Sequence, residues 1–156
     1  MRYDEAATTL RELAFDFFYW FSRFEFALKE NGYLKTTLPG ARAEPDWNRF
    51  IVEHQDHYAP SEAAGALIAA NPFRQIIGGD GGLTFGDVPS ATNATKLRRV
   101  VGLAKTVRNN LFHGGKHGNG EWDDPDRMTE LLRVTTTVLG DLARLGGLEA
   151  DYTRLY

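Results

Sequence analysis

Residues 108–113 read RNNLFH and combine side chains that can act on phosphate esters. Arg108 offers a planar, permanently charged fork that binds two phosphate oxygens. His113 is suited to proton transfer because the unperturbed pKa of histidine, about 6.5, lies near cellular pH. Asn109, between them in sequence, supplies an amide donor and acceptor. This combination has the groups that bind a phosphate and transfer a proton.

The segment ends a predicted helix that begins near Thr95. At about 100° per residue, its apolar positions form one stripe, which is typical of a core-facing helix. Arg108 projects only about 40° from the middle of that stripe. A guanidinium there must pair, line a cleft or meet a second subunit, because an unpaired buried charge is costly. The apolar stripe comprises Leu97, Val100, Val101, Ala104, Val107 and Leu111.

Positive charge is concentrated along this helix. Residues 96–116 contain six Lys or Arg and no Asp or Glu, although the chain has a formal charge of -3. Asn109 and His113 share a helical face with Arg98 and Lys105. We call Arg98 and Lys105 the cationic strip. A polyanionic partner would be met by this local surface rather than by the net charge.

Periodicity and stop signals place further helices around this one. The first predicted helix ends at Asn31-Gly32, the second has Pro45 at its first position, and Asp124-Pro125 caps and opens the last long one. Residues 114–121 are expected to form a flexible turn. The predicted helices span 4–30, 45–57, 63–70, 95–113 and 125–145, followed by a short terminal helix or arm.

The segment 73–89 is the least helical part of the chain. Its pattern predicts a small β-hairpin or an irregular loop around the Gly-rich residues 78–82. A Gly-rich loop can cradle phosphate, but no Lys-Ser/Thr pair follows this one, so the turn interpretation is preferred. A mobile flap beside an active cleft remains an alternative. The predicted fold is therefore all-α: a helical bundle of four to five helices with a Gly-rich loop or small hairpin insertion, in one domain over 1–156.

Composition excludes several function classes. The chain has no cysteine, so disulfides and thiolate metal sites are excluded. We expect a cytoplasmic protein without a membrane span, because no signal-peptide pattern and no run of about 18 apolar residues occurs. His54 and His57 have no third ligand nearby in sequence and are interpreted as surface histidines rather than a metal pair. No metal and no cofactor is expected.

The first predicted helix is aromatic well beyond a single stripe. A helix apolar over so much of its circumference is buried on two sides, and a second copy of the chain is a candidate for the second side. Glu25 lies on the flank of the main stripe and has two interpretations. It forms an exposed ion pair with Lys29 one turn later, or it reaches Arg108 and holds the guanidinium in place.

The pattern Arg-Asn-x-x-x-His at the end of a basic, apolar helix, continuing as Gly-Gly-Lys, resembles the signature of the HEPN superfamily. The acidic Glu25 in the first helix, followed four positions later by a base, is similar to another feature of that family. The resemblance implies a small α-helical domain, in many members a metal-independent endoribonuclease of toxin–antitoxin or phage-defence systems. It implies catalytic roles for Arg108, Asn109 and His113 and a supporting, orienting role for Glu25.

RNA cleavage needs one group to take the 2′-hydroxyl proton, one to protonate the 5′-oxygen, and positive charge on the phosphorane. One histidine cannot easily do both, and a two-fold homodimer would bring two copies of His113 together. HEPN nucleases are thought to work in this way, yielding a 2′,3′-cyclic phosphate and a 5′-hydroxyl. Asn109 would orient the imidazole or donate to a phosphate oxygen. Lys116 and the cationic strip of Arg98 and Lys105 would follow the RNA backbone.

Alternatives remain open at this stage. In one alternative, Arg108 forms a bridge to Glu25 inside the bundle, and His113 is a helix-end histidine stabilised by the helix dipole. In another, the chain is a non-catalytic dimerising module that binds nucleotide or RNA as a sensor or scaffold. Gly115 stands where some HEPN toxins carry a tyrosine that a nucleotidyltransferase antitoxin modifies. Neutralisation of that type is not expected here, whereas a protein antitoxin that acts by other means stays open.

Overall fold

A computed structural model describes residues 8–89, 93–113 and 124–154 of the chain. These residues are mostly helical and contain one small two-stranded sheet, as the sequence predicted. They form six α-helices, and the five-residue α6 is the helix beyond the expected four or five. The elements are α1 (Thr8–Glu30), α2 (Trp47–His54) with a 3-10 turn (Gln55–His57), α3 (Glu62–Ala70), β1 (Arg74–Ile77), β2 (Leu83–Gly86), α4 (Lys96–His113), α5 (Pro125–Leu145) and α6 (Glu149–Thr153).

Two helix starts show how capping determines the boundaries. Asp124 caps α5 with Pro125 at the first turn, as predicted. The prediction that Pro45 occupies the first position of α2 is wrong. Asp46 is the cap, because its side chain accepts a hydrogen bond from the Arg49 backbone N–H at 3.1 Å, and Pro45 lies before it in an isolated bridge with Leu34.

Of the two structures predicted for residues 73–89, a small β-hairpin or an irregular loop, the chain forms the hairpin, between α3 and α4. Asn71 ends α3 in the left-handed conformation, with φ of 41°, and thereby turns the chain toward β1. The strands pair antiparallel, from Arg74 opposite Gly86 to Ile77 opposite Leu83. Ile77 and Leu83 at the tip of the hairpin are exposed, and β1 contacts α4.

The helices bury a continuous apolar core in which α5 packs against α1, α3 and α4, and α6 packs against α1. The predicted stripe of α4 faces this core: it is buried from Leu97 to Val107, and Leu111 is partly buried. Each fully buried leucine or phenylalanine contributes roughly 1.5–3 kcal/mol through loss of contact with water. None of the described helices has the length and apolar content required to span a bilayer.

Candidate nucleic-acid site on α4

Burial of the α4 stripe leaves a polar face at the surface. Arg98, Lys105 and Asn109 are all exposed, as expected for residues spaced seven and four positions apart along one side of a helix. Arg98 donates a hydrogen bond of 3.2 Å to the side-chain oxygen of Asn48 on α2. Because that acceptor is a neutral amide, the cationic strip keeps its positive charge.

Arg108 is held in place without a carboxylate. It is half-buried, and its Nη1 donates a hydrogen bond of 2.9 Å to Oδ1 of Asn109. The guanidinium carbon lies 5.6 Å from the ring centre of Phe21 and 5.3 Å from that of Phe112. No acidic side chain among residues 8–89, 93–113 and 124–154 forms an ion pair with it. Within the described part of the chain, the guanidinium is therefore held by an amide and two rings and has no carboxylate partner, which suits it to an anionic ligand.

Glu25 does not make the expected contact with Arg108. Its carboxylate accepts a hydrogen bond of 3.1 Å from the indole N–H of Trp47 on α2. Trp47 is only 5% exposed, and a buried indole N–H requires an acceptor, which explains the choice of partner. The alternative ion pair between Glu25 and Lys29 is also not formed among the described side chains.

Lys105 lies between the hydrogen-bonded pair of Glu25 and Trp47 and the exposed face of α4. Its Nζ is 5.6 Å from the ring centre of Trp47. Although part of the side chain remains exposed, desolvation of the ammonium group lowers the pKa of Lys105. The negative charge of Glu25 opposes this shift, whereas the positive charges of Lys35 and Arg108 add to it. The predicted supporting residue thus acts electrostatically on Lys105, a member of the cationic strip.

A cleft of about 530 Å³ separates α4 from the hairpin, and we call it the hairpin cleft. It has a cation on each side, Lys105 from α4 and Arg74 from β1, and several amides between them. Gly102 leaves room for it, because a Cβ there would meet only the Cγ1 atom of Val88, at 3.9 Å. The lining residues are Arg74, Gln75, Val88, Gly102, Lys105, Thr106, Asn109 and Asn110.

Hydrogen bonds fix the hairpin against α4. Asn110 is 5% exposed, and its amide nitrogen donates to the backbone oxygen of Phe73 at 2.7 Å. Arg99 donates to the backbone oxygen of Val88 at 3.1 Å and to the side-chain oxygen of Asn71 at 2.6 Å. Neither residue was assigned this role from the sequence, although a polar residue at a core-facing position such as Asn110 requires a partner. Arg99 serves to anchor the hairpin.

An exposed aromatic surface lies beside Arg108. Phe15 is 66% exposed, Phe18 44% and Phe112 52%, and we call these three residues the aromatic patch. The rings of Phe18 and Phe112 are 5.2 Å apart, so the patch crosses from α1 to α4. The expected second buried side of α1 is therefore uncovered in a single chain.

Two predicted site residues fall outside the described side chains. His113 is the last residue of α4, but its side chain lies outside the described part of the structure, as do Lys116, Gly115 and the turn expected over 114–121. The structure brings together Arg108 and Asn109, with Arg98 and Lys105 on the adjoining face, and it does not bring Glu25 to Arg108.

Histidine and carboxylate side chains elsewhere in the described ranges form no metal site. No group of three or more His, Asp or Glu side chains there could hold a metal ion. His54, expected at the surface, is instead partly buried, and its Nε2 hydrogen-bonds the Tyr33 hydroxyl at 2.9 Å. The chain has no significant match among protein-family models, curated proteins or solved structures.

Proposed function

We propose that the protein is a metal-independent endoribonuclease of the HEPN type that acts at a site shared by two copies of the chain. The observation that supports it is the state of Arg108: a half-buried guanidinium, bound to Asn109 and two phenyl rings, with no carboxylate partner among the described residues. A guanidinium that is partly removed from water is stabilised further by an anionic partner. An arginine that stays charged at a helix end, beside a cationic face, is suited to binding a phosphate group.

In the proposed reaction, the ribose O2′ attacks phosphorus while the bond from phosphorus to O5′ breaks. One copy of His113 accepts the 2′-hydroxyl proton and the second copy protonates the departing O5′. Arg108 binds the phosphorane oxygens, and Asn109 orients the guanidinium that it contacts. The products are a 2′,3′-cyclic phosphate and a 5′-hydroxyl, with no metal ion taking part.

The homodimer in this proposal is supported by the aromatic patch. Phe112 of the patch lies against Arg108 and also contacts Phe18 on α1, so a two-fold axis through the patch would bring two α4 ends together. The HEPN-like helical bundle, the RNA substrate and the toxin–antitoxin or phage-defence role belong to the same proposal and follow from the resemblance of the sequence. Arg98, Lys105 and Lys116 would then follow the RNA backbone, and a protein antitoxin would cover this surface.

Cleavage of total RNA in the presence of EDTA tests the proposal. The purified protein should release fragments with cyclic phosphate ends, and an Arg108→Ala/His113→Ala double variant should release none while its circular dichroism spectrum is unchanged. Arg144→Ala is the matched control, because Arg144 is an exposed arginine on α5 paired with Asp141, and it should cleave normally. RNA retention without cleavage would favour the non-catalytic binding module, and full activity of His113→Ala would contradict the assignment.

A further inference from the structure

We propose that the hairpin cleft binds one unpaired nucleotide of a single-stranded RNA, with its phosphate between Arg74 and Lys105 and its base against Gln75 and Asn109. The inference rests on the proposed function and specifies its substrate class. Apart from Asn109, the residues that line the cleft have no part in the bond-breaking steps described above. It is formed by two elements far apart in sequence, so only the folded chain brings its charged and amide groups together.

The dimensions of the cleft favour a single nucleotide. Its volume of about 530 Å³ falls within the roughly 300–1,000 Å³ of pockets that bind small molecules. A cleft between one helix and one hairpin admits an unstacked base, whereas a base pair inside a duplex cannot enter it. Sequence-dependent RNA recognition targets such unpaired bases because their edges are accessible.

The charge of the cleft favours a phosphodiester. Arg74 is exposed on β1 and forms no ion pair with any side chain in the described ranges. Asp87 follows β2 next to the lining residue Val88, and its carboxylate accepts a hydrogen bond of 2.9 Å from Asn71. Arg74 is thus available to a phosphate group, and the side chain of Lys105 forms part of the opposite wall of the cleft.

Asn109 connects this cleft to the proposed reacting centre. Its Oδ1 accepts the hydrogen bond from Arg108, which leaves the Nδ2 group as the donor that this amide offers to a ligand. A nucleotide in the cleft would therefore be next to the phosphate bound by Arg108. A fixed donor also selects a base that presents an acceptor at that point, such as a carbonyl oxygen or a ring nitrogen.

Fluorescence anisotropy with a labelled, fully 2′-O-methylated single-stranded oligonucleotide tests the cleft, because this probe cannot be cleaved. Gly102→Leu should fill the cleft and weaken binding about tenfold or more, and Arg74→Gln should weaken it several-fold and lower the salt dependence by about one phosphate contact. Gly140→Leu on α5 is the control, because it places the same side chain where a Cβ has no neighbour within 4 Å, and it should bind like wild type. Gly102→Ala adds only a Cβ, 3.9 Å from Val88, and should weaken binding less than Gly102→Leu.

The outcomes separate this inference from the nuclease proposal. If wild type, Gly102→Leu and Arg74→Gln all bind equally while RNA is still cleaved, the cleft assignment is wrong and the nuclease stands. If binding depends on the cleft but no RNA is cleaved, the cleft assignment stands and the nuclease proposal fails. Equal affinity of the wild type for single-stranded and duplex probes, or absence of binding at low salt, would also overturn the cleft assignment.

Discussion

The indole N–H of Trp47 donates to the carboxylate of Glu25 at 3.1 Å, and this bond between α2 and α1 determines what surrounds α4. Because Glu25 is bound there, Arg108 is left to an amide and two aromatic rings. The same carboxylate acts through space on Lys105, whose ammonium lies against the Trp47 ring. One partly buried hydrogen bond thus keeps the Arg108 guanidinium without a carboxylate partner among the described residues and leaves the Glu25 charge near Lys105.

The strength of this bond can be measured with Trp47→Phe, which keeps an aromatic ring but removes the N–H donor. We expect the free energy of unfolding to fall by about 1–3 kcal/mol, because the carboxylate loses a partly buried charge-assisted hydrogen bond. Urea denaturation followed by circular dichroism measures the change. Glu25→Gln is the control: it retains an oxygen acceptor for the indole and should cost less. A larger loss in Glu25→Gln than in Trp47→Phe would show that the bond is not the main contribution of this pair.

The pKa of Lys105 provides a second test with a definite sign. Desolvation lowers it from 10.5, Glu25 raises it and Lys35 lowers it. Glu25→Gln should therefore lower the pKa further, and Lys35→Met should raise it toward the ordinary value. An NMR titration of the Lys105 side chain measures both shifts. Shifts of the same sign in both variants would contradict the charge arrangement around Trp47.

A consequence for stability follows from the same shift. The folded-state pKa of Lys105 lies below its unfolded value, so the unfolded state holds the proton more tightly. The ammonium consequently opposes folding at neutral pH, and this opposition fades as the pH rises through the folded-state pKa toward 10.5. Removing the charge with Lys105→Met should reduce the dependence of the urea midpoint on pH in the range just below 10.5, and an unchanged dependence would contradict the shift.

Local patterns in the sequence were enough to predict α4 and its exposed face. The apolar stripe determines which side of a helix is buried, so the shared face of Arg98, Lys105 and Asn109 follows from the spacing of apolar residues alone. The cap at Asp124 is equally local, since its side chain bonds backbone N–H groups of the next residues. These are interactions within a few residues of the chain.

The partners of charged side chains could not be predicted in this way. From the sequence, Lys29 and Arg108 were both possible partners of Glu25. The packing of α2 instead brings Trp47 to its carboxylate. Arg74 carried no signal for a site, because only the docking of the hairpin on α4 brings it opposite Lys105. Such contacts depend on how elements pack, which periodicity within one element does not encode.

The hydrogen bond from Arg108 to Asn109 leads to a prediction about charge. Asn109→Asp should place a carboxylate beside the guanidinium and convert the bond into an ion pair. Because the site is exposed, the change in unfolding free energy should be small, about 0–1 kcal/mol. The new carboxylate would compete with phosphate for Arg108, so RNA binding and cleavage should both fall about tenfold or more. The cleavage assay and the oligonucleotide titration measure these changes.

Asn109→Gln keeps a neutral amide at the same position and serves as the comparison. It should retain more activity than Asn109→Asp, because it adds no negative charge. If the aspartate variant cleaved RNA as well as the glutamine variant, Arg108 would not be the group that binds the reacting phosphate.

The aromatic patch predicts how the molecule assembles. Phe15 is 66% exposed on α1, so Phe15→Glu leaves the core intact while placing a charge in the proposed two-fold contact. Sedimentation velocity should show a dimer for the wild type and a dissociation constant raised at least about tenfold for Phe15→Glu. Val52→Glu alters another exposed apolar residue, 59% accessible on α2, and should remain dimeric. Because each proposed site uses His113 from both copies, cleavage should decline in proportion to dimer content, and a monomeric Phe15→Glu with full activity would refute the shared site.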